Sequence, residues 1–109
     1  MPREKFQTLT EQMFYILLCL RQEQCGMDIM NGVGALTGGR VAVGPGTLYH
    51  LLDQFLAAEM IRETRSEGRQ RWYLLTDKGR SALEREYRRL CAQADDYRRY
   101  ILNESQPSP

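Results

Sequence analysis

The 109-residue sequence has one histidine and only three cysteines. Cys19, Cys25 and Cys91 include no Cys-x-x-Cys pair, and with His50 alone beside them a structural zinc site has too few ligands. An odd cysteine count also speaks against a disulfide framework. Cys25 and His50 form the one conceivable nucleophile and base, yet no phosphate loop or carboxylate–amide constellation accompanies them, so the chain is not expected to be an enzyme and needs no cofactor. Long apolar runs are missing too. The longest, Met13–Leu20, is far too short to cross a bilayer, and Arg3-Glu4-Lys5 opens the chain with mixed charge where a signal peptide would be basic. A cytoplasmic protein with no membrane partner is expected. The length leaves room for one domain and excludes a two-domain nucleotide-binding enzyme or a barrel.

Excess charge of either sign is also lacking: 15 Lys and Arg stand against 14 Asp and Glu. The balance hides an asymmetry. Residues 1–60 carry four basic and six acidic groups, whereas residues 61–109 carry 11 and eight. The excess lies in 61–80, at Arg62, Arg65, Arg69, Arg71, Lys78 and Arg80. What that excess means depends on the element that presents it.

The pattern of elements supplies the context. Thr8 and Glu11 have capping-box spacing, and Met13, Ile16, Leu17 and Leu20 follow at helical intervals, which predicts a helix over about 10–23. Phe14 and Tyr15 widen its apolar surface beyond one stripe. Cys25-Gly26 breaks it, and Ile29, Met30, Val33 and Leu36 predict a second helix over 27–36, weakened by Gly32 and Gly34. Arg40–Val43 reads as a strand fragment. Gly44-Pro45-Gly46-Thr47 then starts a third helix, in which Leu48, Leu51, Leu52, Phe55 and Leu56 make the clearest amphipathic stripe in the chain. Its other face carries Thr47, Tyr49, His50, Asp53 and Gln54.

From Ile61 the period changes. Two β-rich runs around Ser66-Glu67-Gly68 predict a hairpin over 61–75. Thr76-Asp77 caps a last helix, where Leu83, Tyr87, Leu90, Ala94, Tyr97 and Ile101 repeat at heptad spacing. From Thr76 to Ile101 that helix is about 39 Å long, more than so small a core needs, and its narrow stripe fits a seam to a second copy of the chain. Asn103–Pro109 reads as a disordered tail.

Three helices, a hairpin and a long helix are the layout of a winged helix-turn-helix: mainly α with a small β-hairpin, plus a long C-terminal dimerisation helix. The expected division is residues 1–75 for DNA binding, 76–102 for dimerisation and 103–109 for the tail. In such folds the second helix of the motif enters the major groove. Here it would bring Thr47, Tyr49, His50 and Gln54 to double-stranded DNA, and the wing would bring Arg65, Arg69 and Arg71 to the phosphates. Asp53 would repel phosphate, and is expected to pair with a neighbouring cation or face away. Trp72 reads either as a packing residue of the hairpin or as a platform for a ligand.

Particular stretches resemble one family. Leu9-Thr10-Glu11 running into Phe14-Tyr15-Ile16-Leu17-Leu18, then Leu36-Thr37-Gly38-Gly39-Arg40-Val41, Gly44-Pro45-Gly46-Thr47-Leu48-Tyr49 and Trp72-Tyr73-Leu74-Leu75-Thr76-Asp77-Lys78-Gly79-Arg80 are similar to PadR-like transcriptional regulators of the short form. The resemblance implies a homodimeric DNA binder, usually a repressor, whose C-terminal helix packs across the two-fold axis. It also implies a small hydrophobic or aromatic effector between subunits, for which Phe14 and Trp72 are the candidate contacts. One departure stands out: where the family often has His-Gly-Tyr-(Gly/Ala)-Ile, this chain has Cys25-Gly26-Met27-Asp28-Ile29. The alternatives are a winged-helix protein-interaction module, or a ligand-sensing dimer without strong sequence-specific DNA binding. A redox role for Cys25 is a further idea, from its place at a helix start.

Overall fold

The computed structural model describes residues 8–103. Helix α1 (Glu11–Cys19) leads to a two-residue strand β1 (Gln24–Cys25), then α2 (Gly26–Leu36), α3 (Pro45–Ala57), a hairpin of β2 (Ile61–Glu67) and β3 (Gln70–Leu75), and α4 (Asp77–Tyr97), which ends in a π-helical turn (Arg98–Leu102). Three expectations need correction. Thr10, not Thr8, caps α1, its hydroxyl accepting from the Met13 amide at 3.2 Å. Glu11 is drawn aside to Arg40, 2.6 Å away, and so does not complete a capping box. Helix α1 also stops at Cys19 instead of about Glu23, because the chain must turn to lay Gln24 and Cys25 along the sheet. Arg40–Val43 forms no strand. Its Val41 and Val43 side chains are buried as single anchors of a loop.

The core follows the apolar stripes. Ile16, Leu17 and Leu20 from the first helix and its end meet Ile29 and Val33 of α2 and Leu48, Leu52 and Phe55 of α3, all fully buried. Each large aliphatic or aromatic side chain removed from water contributes about 1.5–3 kcal/mol, so this cluster holds the three helices together despite the glycines in α2.

The sheet has the order β1-β3-β2 and is antiparallel throughout. Gly68 at φ 61 and Arg69 make a two-residue turn, one position later than the sequence pattern indicated. Glu67 faces Gln70, Ser66 faces Arg71 and Arg65 faces Trp72, while beyond the bulge at Thr64 Glu63 faces Tyr73. Cys25 pairs with Trp72 on the other side, so β3 is central. Helix α4 starts at Thr76, whose hydroxyl accepts from the Gly79 amide at 3.1 Å. Its first turns pack on the core through Ala82 and Leu83 and the rest runs on, giving a longest dimension of 67 Å. Of the expected tail, Asn103 closes the last turn, and residues 104–109 lie outside the described residues. No described helix is long and apolar enough to cross a membrane.

Candidate nucleic-acid interface

The buried stripe of α3 decides what its outer face presents. With Leu48, Leu51, Leu52 and Phe55 turned inward, two rows remain. Thr47 and His50 lie exposed along one row, with half-buried Gln54 in line one turn on. Tyr49 and Asp53 form the second row, which faces the wing. Between this row and the hairpin is a cleft of about 280 Å³ lined by Tyr49, Asp53, Arg69, Arg71 and Tyr73. Five polar side chains from a helix and a hairpin thus converge on one opening. Asp53 faces the same cleft as Arg69 and Arg71.

Tyr49 is seated by a glycine. Its ring leans over the first residue of α2, where a β-carbon on Gly26 would collide with the hydroxyl and stand 3.0 Å from Cζ. Tyr49 is 48% exposed, so the contact orients it without burying it. The Tyr73 hydroxyl below is pushed up by burial, with Arg71 pulling the other way, and stays protonated.

The three wing arginines do not act as a set. Side chains alternate across a strand, so the pleat splits them. Arg71 lies near Glu63, at 3.6 Å, on the face that looks toward α3. Arg65 is on the opposite face, its guanidinium 3.8 Å from the centre of the Trp72 ring. Such a stacked cation keeps its charge while its direction is fixed. Arg69 sits in the turn and lines the cleft.

The effector candidates are also separated. Phe14 lines a groove of about 580 Å³ between α1 and α4, together with Leu18, Leu83 and Tyr87; Trp72 does not line it. Along α4, Leu83 is half-buried against the core, while Tyr87, Leu90, Ala94, Tyr97 and Ile101 are exposed. Cys25 is buried in β1, its thiol 3.4 Å from the Asp28 carboxylate, whereas His50 is exposed on α3. Among the described residues no three His, Cys, Asp or Glu side chains gather as a metal site.

Glu86 carries no signal in the sequence, since it reads as one more charge on an amphipathic helix. It is 2% exposed and accepts the Leu9 amide at 3.2 Å and Arg89 Nε at 3.0 Å, with a second bond from the Arg89 guanidinium to its other oxygen. Arg89 holds its carboxyl below the usual range, against the opposing effect of burial. The start of the described chain is thereby fixed to the middle of α4.

A three-helix core with a hairpin beside its third helix, and a polar helix face that opens beside that hairpin, define a winged helix-turn-helix protein. The model of the PadR-like family of transcriptional regulators matches residues 16–85. The chain belongs to that family. Its fold is similar to that of a transcriptional regulator from Clostridium thermocellum, with a TM-score of 0.69 at 14% identity over 83% of this chain and 91% of that one. A PadR-like transcription factor from Bacteroides fragilis is 25% identical, with a TM-score of 0.59 over 78% and 86% of the two chains. RosR of H. salinarum is 23% identical, with a TM-score of 0.62 over 84% and 96%. No curated protein matches the sequence.

Proposed function

We propose that this regulator binds double-stranded DNA as a homodimer in the cytoplasm and acts as a repressor. Residues up to Leu75 form the DNA-binding unit and residues 76–102 the dimerisation helix. The observation that carries this reading is the shared direction of α3 and the wing, whose Tyr49, Arg69 and Arg71 open on one cleft. In this reading Thr47, His50 and Gln54 line the groove-facing row, Tyr49 and the two arginines hold the flanking phosphates, and Arg65 reaches phosphate from its perch on Trp72. Two α3 helices then meet successive major grooves of a pseudo-palindromic operator about one turn apart.

The dimer is supported by the apolar stripe of Leu83, Tyr87, Leu90, Ala94, Tyr97 and Ile101, most of it exposed in the single chain. Such a stripe marks an interface. A small hydrophobic or aromatic effector acts between subunits near Phe14, shifting the angle between the two DNA-binding units. Trp72, stacked beneath Arg65, reports DNA contact at the wing and is left out of the effector site.

The deciding experiment is a mobility shift with the duplex upstream of the chain's own gene, against a scrambled duplex, at two salt concentrations. Tight binding to the first that weakens with salt is expected. Equal binding to both overturns the operator reading, and no binding to either overturns the assignment of α3 and the wing.

A further inference from the structure

We infer that Asp53 determines base specificity: its carboxylate accepts from the N4 amine of a cytosine in the major groove, and its charge turns phosphate away from α3. This rests on the DNA-binding reading above and assigns one base contact within it. Helix α3 is short of cations. Over its 13 residues it has no lysine or arginine, and Asp53 is its one carboxylate. A helix that only adhered to the phosphate backbone would gain from basic side chains and lose from an acid. An exposed acid at this place needs a partner other than phosphate.

Its position selects that partner. Asp53 follows Tyr49 by four residues and His50 by three, so it stands where the row beside the wing meets the row turned to the groove. It opens on the same cleft as Arg69 and Arg71. Its charge is felt there: burial pushes the Tyr73 hydroxyl up, Arg71 pulls it down, and Glu63, Tyr49 and Asp53 push it up further. Arg71 has Glu63 as its ion-pair partner, at 3.6 Å. The cleft is thus polarised, positive on the side of the wing arginines and negative at the helix. A duplex seated in it keeps its phosphates against the hairpin and turns base edges to Asp53.

The chemistry of the base edges then narrows the choice. An ionised carboxylate accepts hydrogen bonds and donates none. In the major groove guanine presents only acceptors, and thymine an acceptor and a methyl group. Adenine has an amine, but its N7 acceptor lies beside it and would face the same carboxylate. Cytosine presents its N4 amine as a donor with no acceptor of its own beside it, so it is the base that Asp53 fits.

The test compares the full-length parent with Asp53→Ala and Asp53→Asn in mobility shifts. The probes are the duplex upstream of the chain's own gene, a scrambled duplex, and a panel in which each base pair of the footprinted site is changed singly between C·G and T·A. Both substitutions leave the buried stripe of α3 intact, and melts by circular dichroism check the fold. Asp53→Ala should bind the upstream duplex about tenfold more weakly and the scrambled duplex about threefold more tightly. Changing one particular C·G pair should weaken the parent about tenfold and leave Asp53→Ala unmoved. Asp53→Asn, which both donates and accepts, should come to prefer A·T at that pair. Equal tightening on every duplex makes Asp53 a repulsive charge alone and overturns the base contact, as does a variant that behaves like the parent throughout. Coupling that falls on an A·T pair overturns the choice of cytosine. A parent that binds the upstream and scrambled duplexes alike overturns the operator reading and this contact with it.

Discussion

A methyl group added at Gly26 separates the stability of this fold from its DNA contact. A β-carbon there would collide with the Tyr49 hydroxyl and come within 3.0 Å of Cζ and 3.3 Å of Cε1. All of these atoms belong to a half-exposed side chain that can swing outward. Alanine in place of glycine near a helix start gains up to about 1 kcal/mol. Loss of the partial burial of the Tyr49 ring removes about as much. Gly26→Ala is therefore expected to change stability by less than about 1 kcal/mol, a melting shift within about 4–8 °C for a domain of this size. Gly79→Ala is the contrast. A β-carbon there strikes the Met60 carbonyl, which accepts the Thr76 amide at 3.1 Å, and lies 2.7 Å from Leu75 Cδ1. The carbonyl is backbone and cannot turn away, so a loss of about 3 kcal/mol is expected. On DNA, Gly26→Ala displaces Tyr49 in both subunits. At roughly 0.5–1.5 kcal/mol for each lost hydrogen bond, affinity should fall about tenfold. Thermal melts by circular dichroism and mobility shifts read the two effects, with Tyr49→Ala as the reference for lost contact. The reasoning is refuted if Gly26→Ala melts as low as Gly79→Ala, or if it binds DNA as tightly as the parent.

Arg69→Ala with Arg71→Ala removes four phosphate contacts from a dimer, so the slope of log affinity against log salt should flatten by about 3–4 units; an unchanged slope would place the clamp elsewhere. Arg65→Ala should flatten it less and should shift Trp72 emission on its own, since the guanidinium stacks on that ring; emission identical to the parent contradicts the stack. For Glu86 the folded state lowers the carboxyl below its ordinary value of 4.5. Its stabilisation is thus present above that pH and fades as pH falls through the lower folded value. The melting gap between the parent and Glu86→Gln should be wide at pH 7 and narrow toward pH 3, and a gap constant over that range would disprove the clamp. Leu90→Glu with Tyr97→Glu should give monomers by light scattering, and a persisting dimer moves the seam off α4.

Periodic features were legible in the sequence. The stripe of α3 and the heptad of α4 are long enough for spacing to decide, and the β-rich runs on either side of Gly68 announced the hairpin. What escaped were contacts between distant residues. Strand β1 is two residues long and has no period to read; it exists because β3 offers it an edge. Glu86 is buried by an amide 77 residues away. Gly26 leaves the space in which the Tyr49 ring rests, and nothing in either stretch names the other. The arginines of the wing are close in sequence and read as one cluster, yet the pleat sends Arg65 to the opposite face from Arg71, and the Thr64 bulge brings Glu63 onto the face of Arg71. Val41 and Val43 favoured a strand by composition, but no neighbouring strand was there to pair with them.

Strand β2 has a consequence for how molecules of this protein meet one another. It pairs with β3 along one edge and leaves the other open, where a foreign strand could add on. That edge carries Arg62, Glu63, Arg65 and Glu67, and the bulge at Thr64 breaks its line of hydrogen-bonding groups. An incoming strand would have to strip water from these charges and match an irregular ladder. The wing can therefore project into solvent without acting as a seed for sheet growth.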